Sequence, residues 1–143
     1  MSSTLSSAID AASSALSAQR TRMEVAVSNL ANAESTRGPD GQPYRRRSVV
    51  LETMAADRPS FGDNVQAAGV RVAEVVQDQD EFRRRYEPSH PDADENGFVA
   101  VPNVDVPEEM VDMLGAARAY QANITAIGLI RETVQKALEL ARS

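Results

Sequence analysis

The sequence predicts a mainly α-helical chain with a small β insertion. Long N- and C-terminal helices are expected to pair as an antiparallel coiled coil, with a β-hairpin region between them. Two apolar repeats and one change of character carry this expectation. Near the N-terminus Leu5, Ile9, Ala12, Leu16, Gln19, Met23, Ala26, Leu30 and Ala33 alternate at steps of four and three. Towards the C-terminus Met110, Met113, Ala117, Tyr120, Ile124, Ile127, Arg131, Val134, Leu138 and Ala141 do the same at steps of three and four. That rhythm keeps side chains in one narrow stripe of an α-helix, the seam of a coiled coil. Between the repeats the heptad gives way to glycine, proline and short valine runs. The expected divisions are 1–36, 37–105 and 106–143, forming one structural unit.

The first helix follows Ser2, Ser3 and Thr4, which are suitable N-caps. It carries five charges over residues 2–36, namely Asp10, Arg20, Arg22, Glu24 and Glu34. Alanine and serine fill its remaining faces, so its outside is expected to be covered by neighbours. Near its end two asparagines flank an apolar pair in Ser28-Asn29-Leu30-Ala31-Asn32-Ala33, where an amide can satisfy free backbone groups.

Two glycines and two prolines between Arg37 and Pro43 break regular structure. Strands are expected over 44–52, 69–77 and 81–87, the third returning on the second as a hairpin after Asp78-Gln79-Asp80. A loop punctuated by Pro59 and Gly62 separates the first two. The last helix should open at Asp105-Val106-Pro107-Glu108, which has capping-box spacing with proline in the first turn. At 1.5 Å per residue it would be roughly 50 Å long, more than a chain this size needs internally. Gly115 and Gly128 weaken its interior and permit close helix approach.

Composition limits the chemistry. Of 143 residues 22 are alanine, six are aromatic and none is tryptophan, so the core is thin and added burial should come from other molecules. There is no cysteine, which removes disulfides, thiolate nucleophiles and cysteine metal sites. No stretch approaches the ~18 apolar residues of a membrane span, and the first seven residues lack the basic and apolar regions of a cleaved signal. The net charge of −6 disfavours nucleic acid. Two arginine triplets, Arg45–Arg47 and Arg83–Arg85, lie in expected strands, where successive side chains point to opposite faces and make no one-sided patch. Salt bridges to neighbouring subunits or plain solvation suit them better.

Asp92-Ala93-Asp94-Glu95-Asn96-Gly97 matches the opening of a calcium-binding loop. The twelfth position, which should be a bidentate glutamate, is Asn103, and Pro88 and Pro91 stand where a helix should be. His90 is the only histidine, so no multi-histidine metal site can form. No cofactor is expected.

Several segments carry a resemblance to the FlgC family of flagellar basal-body rod proteins. Ser28, Asn29, Leu30 and Asn32 belong to an S-N-L-A-N-A element shared by flagellar axial proteins. Tyr86, Pro88, His90 and Pro91 fall in Y-E-P-S-H-P, and Gly97, Pro102 and Asn103 in G-F-V-A-V-P-N-V, both similar to this family in particular. Gly38-Pro39-Asp40-Gly41-Gln42-Pro43-Tyr44 and Ala117-Arg118-Ala119-Tyr120-Gln121-Ala122-Asn123 extend the likeness nearly end to end. The resemblance implies a non-enzymatic subunit of the proximal rod in the bacterial flagellar basal body. Its terminal helices would pack side by side into a tube through Leu5, Ile9, Leu16, Met23, Leu30, Met110, Met113, Tyr120, Ile124, Ile127, Val134 and Leu138. It further implies self-association and contact with other rod proteins, the membrane ring and the export gate. The location would be the periplasmic rod, reached by type III export without a cleaved signal peptide. A prefoldin-like coiled-coil chaperone or adaptor is the alternative; its outer faces should be charged, which the first helix is not.

Overall fold

The computed structural model describes residues 2–54 and 69–142. The elements run α1 (Ser2–Ala31), β1 (Arg47–Thr53), β2 (Val70–Gln77), β3 (Arg83–Tyr86), β4 (Phe98–Val101) and α2 (Val106–Arg142). It is a mixed fold in which two long helices contact each other and two small antiparallel sheets accompany them.

Helix α1 ends at Ala31, before Ala33. Asn32 stops it: its Nδ2 donates to the carbonyl of Ser28 at 2.8 Å, and its backbone N–H is shared between the carbonyls of Ser28 and Asn29. A side chain that takes a carbonyl otherwise used by the ladder competes with continuing the helix. Helix α2 begins as its sequence predicts. Asp105 Oδ1 accepts from the N–H of Glu108 at 3.1 Å, satisfying a donor that the first turn leaves without an intrahelical partner.

The strand pairing differs from expectation. β1 pairs with β2, with Val49 opposite Val75 and Leu51 opposite Val72, and a bulge between Val50 and Leu51 leaves Ala73 without a cross-strand partner. β3 does not return on β2 but pairs with β4, Tyr86 opposite Phe98 and Arg83 opposite Val101. The reason lies at 78–80. The N–H of Asp78 adds one more bond, to the carbonyl of Arg46, and Arg45 then reaches the carbonyls of Asp78 and Asp80 at 3.0 and 3.2 Å. Tied to the strand beside β2, the chain leaves that sheet instead of turning back on it. β4 lies outside the three expected strands, and Phe98-Val99-Ala100-Val101 alternates exposed and buried as a half-covered strand should. The expected loop residues Pro59 and Gly62 lie outside the described residues.

The buried apolar residues among those described are small: Ala18, Ala26, Val99, Val101, Val104 and Ala116. Each covers little area, so the hydrophobic stabilisation per residue is low.

Candidate assembly site

The largest fully buried side chain among the described residues is an acid. Glu109, in the first turns of α2, is 2 % exposed, and Asn29, near the end of α1, is 1 % exposed. They meet: Asn29 Nδ2 donates to Glu109 Oε2 at 2.9 Å. The same amide group donates to the carbonyl of Arg47 at 2.8 Å. Asn29 Oδ1 accepts from the N–H of Arg47 and from the hydroxyl of Tyr44, both at 2.9 Å. All four hydrogen-bonding positions of the amide are thereby filled. Ser28 Oγ lies 3.2 Å from the Tyr44 oxygen and completes the chain.

Arg46 closes the knot from the other side, its Nε 2.6 Å from Glu109 Oε1, with Glu108 at 3.9 Å. Burial works against the charge on Arg46. The hydrogen bond and charge of Glu109, with Glu108 and Asp112 behind, outweigh it and hold the guanidinium pKa above its ordinary value. The knot therefore joins the end of α1, the entry to β1 and the start of α2 through groups that are charged or fully paired.

Within the helices, Leu16, Met23, Leu30, Met113, Tyr120, Ile127 and Val134 are half-buried, as is Ile9. Leu5, Met110, Ile124 and Leu138 are exposed. On α2 the inward positions are Glu109, Met113, Ala116, Tyr120, Asn123, Ile127, Ile130 and Val134, again at steps of four and three. This stripe shares every second member with the one drawn from sequence. It substitutes Glu109, Ala116, Asn123 and Ile130 for Met110, Ala117, Ile124 and Arg131. Two polar residues among the substitutes explain why hydropathy alone selects the neighbouring line.

The Y-E-P-S-H-P and G-F-V-A-V-P-N-V residues come together around the β3–β4 connection. Tyr86 and Phe98 stack edge to face with ring centres 5.3 Å apart. Gly97 has φ of 80°, and a Cβ there would lie 2.9 Å from Tyr86 Cε2 and 3.1 Å from Pro88 Cβ. Only glycine fits both the dihedral and the space. Asp94 Oδ1 accepts from the N–H groups of Asn96 and Phe98 at 2.8 and 2.9 Å, the Asx role its position in the turn invites. Asp92 accepts from the Thr36 hydroxyl at 2.9 Å, and His90 Nδ1 accepts from the N–H of Asp92 at 3.1 Å. Asn103 donates to the carbonyl of Glu81 at 2.7 Å, and Pro102 is buried. The acidic loop thus spends its oxygens on its own backbone, on Thr36 and on Arg37, whose Nε lies 3.5 Å from Asp92 Oδ1. Among the described residues no three His, Asp or Glu side chains converge on a point that could hold a metal.

The arginine triplets divide. Arg45 lies over the Phe82 ring at 4.4 Å, and Arg46 is in the knot. Arg85 pairs with Glu34 at 2.7 Å and Glu87 at 2.8 Å. The Glu34 hydrogen bond is the main reason its pKa is raised. Arg83 and Arg84 are exposed. No helix among the described residues is long and apolar enough to cross a membrane.

The comparisons with known proteins agree at both ends of the chain. Residues 9–39 match the family described as flagella basal body rod protein, and residues 95–140 match the flagellar basal body rod FlgEFG protein C-terminal family. The flagellar basal-body rod protein FlgC of Salmonella typhimurium is 47 % identical over 133 residues, 93 % of this chain and 95 % of that protein. FlgC of Borreliella burgdorferi is 40 % identical over 95 % of this chain and 97 % of its own length. FlgC of Bacillus subtilis is 38 % identical over 94 % and 96 %. By identity and by coverage from end to end, the chain belongs to the FlgC family of flagellar basal-body rod proteins.

Proposed function

We infer that this chain is a structural subunit of the bacterial flagellar basal-body rod, not an enzyme, and that it serves flagellum-dependent motility. It sits in the proximal rod. There α1 and α2 pair antiparallel as a coiled coil and pack beside other copies and other rod proteins into a tubular drive shaft. The membrane ring and export gate lie below it and the distal rod above. The subunit reaches the rod by type III export without a cleaved signal. Segments 1–36, 37–105 and 106–143 act as one unit, the two ends forming the stem and the β region its outer part.

One observation carries the reading beyond family likeness. Met110, Val111, Leu114, Ile124 and Leu129 lie 42–68 % exposed along α2, an apolar surface that a monomer gains nothing by displaying. Neighbouring helices of the assembly cover it. The seam residues Leu5, Ile124 and Leu138, exposed in the single chain, belong to those contacts, whereas half-buried Leu16, Met23, Leu30 and Tyr120 serve within the subunit.

The test is Ile124→Asp together with Leu114→Asp. Both positions are exposed, so the isolated chain should keep its helix content, while a carboxylate forced into an apolar contact is expensive. A strain carrying the double substitution should lose swimming and yield no basal bodies with a complete rod. Normal swimming would remove the assigned contact surface.

A further inference from the structure

The helix pair contains little that fixes how far one helix is slid along the other. Its fully buried apolar members are alanines, Ala18, Ala26 and Ala116. Half-buried residues such as Met23, Leu30, Met113 and Ile127 recur at the heptad. With Ala18 and Ala26 eight positions apart, Met23 and Leu30 seven and Met113 and Ile127 fourteen, the pair presents a similar small apolar surface after a slide of one heptad, about 10 Å at 1.5 Å per residue. Apolar burial alone discriminates poorly between such alignments, because it has no direction.

Asn29 and Glu109 discriminate strongly. They are the two polar residues buried among those described, they come from different helices, and each fills its hydrogen bonds on the other and on the entry to β1. A slide of one heptad would separate them by about 10 Å and leave both a carboxylate and an amide buried without those partners. Three further ties of α1 and its following turn are weaker. Ser14 accepts one part-buried bond from the N–H of Val70. Thr36 reaches Asp92 through one hydroxyl. The Arg85–Glu34 pair is exposed and exchanges readily with water.

We propose that the Asn29–Glu109 contact, held by Arg46, is the register lock of the helix pair. It selects one alignment of α1 on α2 among several of similar apolar burial, and so decides which residues the stem presents to its neighbours. Buried polar pairs are well suited to this role because they distinguish alignments even where they add little net stability. The proposal rests on the antiparallel pairing within the rod-subunit reading. Its test uses the isolated chain and does not require assembly, so loss of one leaves the other to stand.

The chain has no cysteine, so two introduced thiols can carry spin labels unambiguously. Val27→Cys and Arg131→Cys are exposed positions. In the antiparallel pair they are separated along the axes by about 20 residues, or ~30 Å. A slide therefore changes their distance by nearly its full length.

In Asn29→Leu/Glu109→Met the lock is replaced by apolar side chains of similar size. The helices should stay folded while the single distance of the parent splits or broadens by about 10 Å, one heptad. A second variant moves the lock one heptad along α1, as Arg22→Asn with Asn29→Leu. Pairing of the new amide with Glu109 should lengthen the label distance by about 10 Å. A single, unchanged distance in both variants would overturn the proposal. Loss of helix content in Asn29→Leu/Glu109→Met would overturn it equally, because the pair would then hold the helices together instead of aligning them.

Discussion

Asn29→Ala deletes four hydrogen bonds with one substitution, but the four do not weigh equally. Arg47 is an exposed residue, so its peptide groups can turn to water at small cost. The Tyr44 hydroxyl keeps Ser28 within reach at 3.2 Å. Glu109 has no such recourse at 2 % exposure. Its Oε2 loses a donor in a place water reaches poorly, at a cost of about 1–3 kcal/mol. With the small void left by the amide, the expected loss is about 2–3 kcal/mol, most of it from that one oxygen. For a chain of this size each kcal/mol moves the midpoint by about 2–4 °C, so Tm should fall by roughly 5–10 °C. Thermal and urea unfolding followed by far-UV circular dichroism would measure it. The same substitution made in a Glu109→Ala background should cost about 1–2 kcal/mol less, because the stranded acceptor is gone. A loss under about 1 kcal/mol, or one that is the same in both backgrounds, would refute the reasoning.

Other expectations are sharper as comparisons. Gly97→Ala should cost about 2–3 kcal/mol, from a positive φ and a blocked Cβ, whereas Gly41→Ala, at φ 78° with open space around it, should cost only the dihedral term of about 1 kcal/mol. Equal losses in thermal melts would remove the steric argument. Gly115→Ala meets no atom within 4 Å and should stabilise the isolated chain by about 1 kcal/mol through helix propensity. Reduced swimming in spite of that gain would mark Gly115 as a close contact between subunits. Because the Arg46 pKa is raised on folding, its contribution is fully present below the ordinary arginine pKa and is lost only at higher pH. Tm between pH 6 and 10 should therefore respond identically to pH in the parent and in Arg46→Met, and a fall in the parent alone would contradict the assignment.

The elements that announce themselves by local chemistry were legible in the sequence. Val106 as the start of α2 follows from Asp105 as cap and Pro107 in the first turn, and the helix runs unbroken to Arg142. The exchange of strand partners was not legible, because Arg45 ties down the 78–80 carbonyls from more than thirty residues away. The knot was half legible. The motif containing Ser28, Asn29 and Asn32 stands out, and Asn32 does cap the end of α1 as an asparagine there should. Asn29 instead reaches across to Glu109, which hydropathy assigns to the solvent side. On α2 the lines through Met110 and through Glu109 are one residue apart, and each contains polar members. The pattern alone could not choose between them; only the partner on α1 does.

The uncovered apolar row on α2 has a thermal consequence. If covering Leu114, Ile124 and Leu129 drives each addition to a growing rod, the step is driven by water released from their surfaces, and this drive weakens on cooling. The concentration of free subunit needed for growth should then rise in the cold, and rods half built at low temperature should shed subunits that rods grown warm retain.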